Sequence, residues 1–182
     1  MVICKIGEKE YNLPEGWNEV NLDKFEKIIK KNQSISEYKS QVLFGLEIFS
    51  ILIDADIEDL KTLTKNSFEV LSKEIEWINV APVGEEKTEF KIGNEIFRPL
   101  KDLNKLTMGD NISLELLIKD SDEANMLINI LPVLLRKVKK VKTEDGEIEE
   151  LEPFVAEKYN ERKTLFGKSI FITDVINFRD FF

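Results

Sequence analysis

The chain echoes itself. Lys5-Ile6-Gly7-Glu8-Lys9-Glu10-Tyr11 returns as Lys91-Ile92-Gly93-Asn94-Glu95-Ile96-Phe97, 86 positions later. The first stretch alternates around Gly7-Glu8, which predicts a short β-hairpin, and Pro14-Glu15-Gly16 ends it. Asn21 then stands as the N-cap of a helix carrying Leu22, Phe25, Ile28 and Ile29 at helical spacing. In the second stretch Thr107, again 86 positions on, takes the capping place ahead of Ile112, Leu114, Leu116, Leu117 and Ile118. Two readings stay open: one hairpin–helix unit used twice, or chance likeness between two ordinary Lys-Ile-Gly hairpins, because two copies fall short of a repeat array.

Between the two stretches the pattern is helical. Tyr38, Val42, Leu46 and Phe49 predict a long helix from about Ser36 to Ile53, Asp56 caps a short one to Leu63, and Thr64 caps another carrying Phe68, Leu71, Ile75 and Ile78. Ala81-Pro82-Val83-Gly84 followed by Glu85-Glu86 is the best candidate boundary. It divides residues 1–84, a hairpin plus helical section, from 85–182, with one compact domain as the alternative. Beyond the second unit, Ser121-Asp122 predicts the start of a helix through Ile130, interrupted or kinked at Pro132 and continuing towards Arg136. The lysine-rich run Lys137–Lys142 and the acidic return Glu147–Glu150 form a charged hairpin. With Asp145-Gly146 as its two-residue turn, Lys142 faces Glu149. An amphipathic helix follows Pro153, and Phe166, Phe171, Phe178, Phe181 and Phe182 crowd the end. The fold class is α+β, mainly helical with two or three short β-hairpins.

Composition narrows the chemistry. A chain of 182 residues with 42% hydrophobic and 34% charged residues is long enough to bury a substantial core without disulfides. The absence of histidine removes imidazole-based triads, the usual zinc sites and H-E-x-x-H proteases, and the single Cys4 allows no internal disulfide. No apolar run is long enough to cross a bilayer, and Met1-Val2-Ile3-Cys4-Lys5 does not read as a secretory signal, so a reducing cytoplasm is expected and no membrane partner. A net charge of −9 with only four arginines opposes a nucleic-acid partner. No Gly-x-Gly fingerprint or P-loop is present. These readings predict no catalytic residue, no cofactor and no metal.

Three constellations invite a functional reading. Asp54-Ala55-Asp56-Ile57-Glu58-Asp59 resembles the opening of a calcium loop, but Asp59 stands where the loop needs glycine and Lys65 where it needs glutamate. Helix capping explains the cluster better, with a carboxylate-based metal-dependent enzyme using Asp54, Asp56 and Glu58 kept as an alternative. The charged hairpin is either a self-neutralised solvated ribbon or an arm that pairs with a neighbouring subunit through Lys140, Lys142, Glu147 and Glu149. The aromatic end either packs on its own core or docks elsewhere through Phe171, Phe178, Phe181 and Phe182. Trp17 and Trp77 read as packing residues.

The order of Leu13-Pro14-Glu15-Gly16-Trp17-Asn18-Glu19-Val20, Phe49-Ser50-Ile51-Leu52, Leu100-Lys101-Asp102-Leu103 before Thr107, Leu131-Pro132-Val133-Leu134-Leu135, and Tyr159 with Arg162 ahead of Phe181-Phe182 resembles small proteins of crAss-like and related Bacteroidales-infecting tailed bacteriophages. That resemblance implies a non-enzymatic virion or tail and portal protein. It would meet other particle proteins, in multiple copies or as a homo-oligomer, in the virion and in the host cytoplasm during assembly. A tail assembly chaperone absent from the finished particle is the alternative within this class, and a host-directed inhibitory binding module a further one.

Overall fold

The computed structural model describes residues 2–85, 87–100, 102–143 and 146–181, the last three of these by backbone alone. Strands β1 (Val2–Ile6) and β2 (Lys9–Leu13) form a separate antiparallel hairpin, and helix α1 (Leu22–Gln33) follows a 3-10 turn at Trp17–Glu19. Then come α2 (Gln41–Ile53), α3 (Ile57–Leu60) and α4 (Lys65–Glu74). Strands β3 (Phe90–Ile92) and β4 (Glu95–Pro99) lead through a 3-10 turn at Leu103–Lys105 into α5 (Met108–Lys119) and α6 (Met126–Leu134). The chain passes directly into β5 (Leu135–Thr143), returns as β6 (Gly146–Leu151), and ends on α7 (Tyr159–Ser169) and two 3-10 turns. The second sheet is antiparallel in the order β3-β4-β5-β6. The α+β class and its mainly helical character are as expected.

The echo is a structural repeat. The strand Lys9–Leu13, the turn Trp17–Glu19 and the helix Leu22–Gln33 correspond, all at a displacement of 86, to Glu95–Pro99, Leu103–Lys105 and Met108–Lys119. Both hairpins close between paired residues, Ile6 with Lys9 and Ile92 with Glu95. In both the first turn residue is a glycine in the left-handed region, Gly7 at φ 61° and Gly93 at φ 59°, as a type II′ turn demands. The caps agree as well. Asn21 (φ −75°, ψ 168°) accepts from the Lys24 N–H, and Thr107 (φ −71°, ψ 164°) from that of Asp110, whose carboxylate completes a capping box. Ile28 and Leu114 occupy the same helical position and both are buried. We call the two copies unit 1 and unit 2.

A single hydrophobic core runs through both halves of the chain, from Ile6 and Leu13 to Val175 and Phe178. Helix α6 is buried along Leu127–Leu134, with Pro132 in its last turn just before the chain straightens into β5. The rings of Phe97 and Phe166 meet edge to face at 5.0 Å, joining β4 to α7.

Several predicted boundaries move. The helix expected from Ser36 is divided, because the Ser40 side chain accepts the Leu43 N–H and caps α2 afresh, leaving only a 3-10 turn at Ile35–Glu37 before it. The short helix expected to reach Leu63 ends at Leu60. Asp122 takes the N–H groups of Ala124 and Asn125 in a turn, so α6 begins at Met126 rather than near Ser121, and it stops at Leu134 instead of continuing towards Arg136, because Leu135 and Arg136 already pair with β4. In the charged hairpin Thr143 pairs with Gly146 and Lys142 with Glu147, not Glu149. The two-residue displacement keeps each side chain on its expected face.

Candidate docking surface

Beneath α5 lies a buried layer of charge. Asp110, in the first turn of α5, sets its Oδ1 3.2 Å from Arg136 Nη2, and the two residues are 6% and 3% exposed. Arg162 on α7 donates to Glu152 at 2.9 Å, and Lys139 reaches the other oxygen of that carboxylate at 2.9 Å. The Arg136 guanidinium also sits 5.4 Å from the Phe154 ring. Burial pushes the Asp110 carboxyl up, but the Thr107 N–H and hydroxyl together with Arg136 outweigh it and hold the group below its usual range. Lys139, against the opposing effect of burial, holds Glu152 low in the same direction. Desolvation pulls Arg136 down, only partly countered by Asp110. These contacts fix α5 against β5, and the 152–159 segment beside it.

Above that layer α5 is a ridge. Met108, Ile112 and Leu116, four residues apart on one face, are 75%, 54% and 55% exposed. On one flank Leu103, Leu106, Asn111, Leu114 and Ile118 line a groove of about 630 Å³, and on the other Ser113, Leu117, Phe154 and Tyr159 line one of about 260 Å³. In unit 1 the positions of Ile112 and Leu116 are Glu26 and Lys30, an ion pair at 2.5 Å on the solvent side of α1. The sequence pattern named Ile112, Leu114, Leu116, Leu117 and Ile118 after the Thr107 cap without dividing them between faces, and missed this surface. Leu114 takes the core, leaving Met108, Ile112 and Leu116 to point away; the comparison with Glu26 and Lys30 was the available signal.

Unit 1 has its corresponding groove, of about 590 Å³, lined by Trp17, Phe25, Ile29 and Asn32 and by the strap 78–83, which leaves a 3-10 turn at Asn79. The Trp17 indole donates to the Val80 carbonyl at 2.6 Å and packs edge to face on Trp77 at 5.2 Å. Those four helix-and-turn positions match Leu103, Asn111, Glu115 and Ile118 of the groove beside α5.

The predicted docking residues fall in two places. Lys140 pairs with Glu147 at 3.1 Å, and Glu149 takes Arg98 at 2.7 Å across the sheet, so the ribbon's charges are partly spent within its own sheet. Lys142 stands opposite Glu147, and β6 is exposed throughout. Phe171 is exposed beside its bridge to Asn21, whereas Phe178 is turned inward on Phe90, with ring centroids 6.4 Å apart. Burial therefore removes Phe178 from the docking set at this subunit's surface. The Phe181 side chain and Phe182 lie outside the described residues, as does Asp145.

The acidic cluster is dispersed among separate tasks. Asp54 pairs with Lys24 at 2.6 Å, Asp56 caps α3 by accepting the Glu58 N–H, Glu58 pairs with Lys61, and Asp59 binds Lys9 and the Tyr11 hydroxyl. Among the described residues no three or more Asp, Glu or Cys side chains come together as a metal site. Burial pushes the Cys4 thiol up, away from thiolate reactivity. No helix among the described residues is long and apolar enough to cross a membrane. No protein family, curated protein or solved structure matches this chain.

Proposed function

We propose that the protein is a non-enzymatic structural or assembly subunit of a tailed bacteriophage particle, working through contacts with other particle proteins in the tail or portal region. The observation that carries the protein-contact reading is the ridge of Met108, Ile112 and Leu116, exposed although the core beneath it is closed. Large apolar side chains grouped on one helix face mark interaction sites. The phage setting is supported by the resemblance of the segments around Trp17, Phe49, Leu100, Pro132 and Tyr159. Its place is the virion, and the host cytoplasm during assembly.

Unit 1 supplies the test. Ile112→Glu with Leu116→Lys writes the Glu26–Lys30 pair onto α5 and should leave folding stability within about 0.5 kcal/mol, as exposed surface changes do. The variant is expected to fold and to lose its association with particles and assembly intermediates in co-sedimentation. Unchanged association would refute the ridge as the contact. A wild-type protein that joins neither particles nor intermediates would refute the functional reading. Mass spectrometry of purified particles separates a resident subunit from an assembly chaperone that leaves.

A further inference from the structure

Unit 1 is covered by the chain's own later residues. The segment around Ile170–Ile172 lies against its 3-10/helix junction: the Leu22 N–H donates to the Ile170 carbonyl at 3.0 Å, the Ile172 N–H to the Val20 carbonyl at 2.9 Å, and the Asn21 amide to the Lys168 carbonyl at 3.3 Å. This forms an antiparallel bridge between Asn21 and Phe171. Val20, Leu22, Ile170 and Ile172 are all buried by it. The matching junction of unit 2 is Leu106-Thr107-Met108. Among the described residues no backbone bond reaches the Leu106 carbonyl or the Met108 N–H. Leu22 is 1% exposed and its counterpart Met108 is 75%.

We propose that the Leu106–Met108 edge of unit 2 is a strand-docking site for an extended, uncharged apolar-x-apolar segment of another polypeptide, the chemistry that Ile170-Phe171-Ile172 supplies to unit 1 within the chain. The incoming segment donates an N–H to the Leu106 carbonyl, accepts from the Met108 N–H, and seats its alternate side chains on Met108 and Ile112. Backbone pairing gives affinity and the alternate side chains give selectivity, as in other strand additions. Charge agrees with that choice: Leu103, Leu106, Met108, Ile112 and Leu116 are all uncharged, while Lys105 and Glu115, interleaved with them in sequence, and Lys119 beyond them favour polar flanks on the incoming segment. The inference rests on the protein-contact reading and names the kind of contact.

The test uses the full chain and a synthetic peptide of residues Lys168–Asp174, followed by backbone-amide and methyl NMR at peptide concentrations up to the millimolar range. Unit 1 should not respond, because its own segment is intramolecular and held at a high effective concentration. The expected result is saturable shifts at Leu106, Met108 and Ile112, with a scrambled peptide inert. Met108→Pro removes the donor at the first helical position, where proline is tolerated. The ψ of 164° at Thr107 already suits a residue that precedes proline. This variant should keep its fold and bind the peptide roughly tenfold more weakly by the Ile112 methyl shift. Ile112→Glu, an exposed change that spares the backbone, should weaken it comparably. Absent shifts in unit 2, shifts confined to Val20 and Leu22, or binding by both variants as tight as by the wild type would overturn the proposal. Peptide-free self-association of the wild type that Met108→Pro abolishes would also overturn it, giving the edge to a second copy. Failure here with particle association intact refutes strand docking alone, whereas loss of particle association with peptide binding intact refutes the functional reading alone.

Discussion

Replacing Asp110 by alanine removes two things at once, and a second substitution separates them. The carboxylate accepts the Thr107 N–H at 2.9 Å in the capping box and faces Arg136, which is 3% exposed and whose Nη1 meets no acceptor. Loss of the cap costs about 0.5–2 kcal/mol. Stranding a buried guanidinium without its carboxylate costs about 3–5 kcal/mol more. In urea unfolding the single variant should lose roughly 3.5–7 kcal/mol at unchanged slope. Adding Arg136→Met removes the stranded charge and leaves a flexible apolar stem, so the double variant should recover all but the cap and lie about 0.5–2 kcal/mol below wild type. A double variant no more stable than Asp110→Ala alone would refute the claim that this pair governs how α5 is seated. So would a single variant that loses less than about 1 kcal/mol.

Acid should reveal the same layer. Asp110 and Glu152 are both held below their ordinary values, so their contribution is complete above the unfolded-state carboxylate range near pH 4 and is lost as pH falls through the lower folded-state values. Urea midpoints should drop below about pH 4, and Asp110→Asn should flatten that drop. Gly84→Ala places a Cβ into the Thr173 carbonyl and should cost about 1–3 kcal/mol, measured by thermal unfolding. A loss under about 0.5 kcal/mol would show that the strap can shift. Trp17→Phe removes the donor to the Val80 carbonyl and should cost about 0.5–1.5 kcal/mol, with faster amide exchange confined to the 78–83 strap.

What could be read in the sequence was set by local rules. Gly7 and Gly93 announced both turns, and Asn21, Asp56, Thr64 and Thr107 were legible as caps because a short polar side chain ahead of an apolar period has few other uses. The dispersal of the Asp54–Asp59 carboxylates agrees with the capping explanation preferred for that cluster. The failures lay where two local signals competed. Ser40 cuts a helix that periodicity would continue, and the ribbon's register follows from where Gly146 sits opposite Thr143. The candidate surface was hidden for another reason: α5 is apolar on nearly every side, so pattern alone does not say which of its faces the core claims. Only the packed position of Leu114, and the occupied counterpart in unit 1, distinguish Met108, Ile112 and Leu116 as outward.

The bridge between Asn21 and Phe171 also sets a timetable. A ribosome delivers Val20 and Leu22 long before Ile170 and Ile172, so throughout most of translation the opening hairpin and α1 show bare valine and leucine where their cover will later lie. The first-made portion is thus the last to be sealed. Nascent chains stalled before Ile170 should be the protease-sensitive, holdase-bound species, and those stalled with Ile172 well clear of the exit tunnel should not.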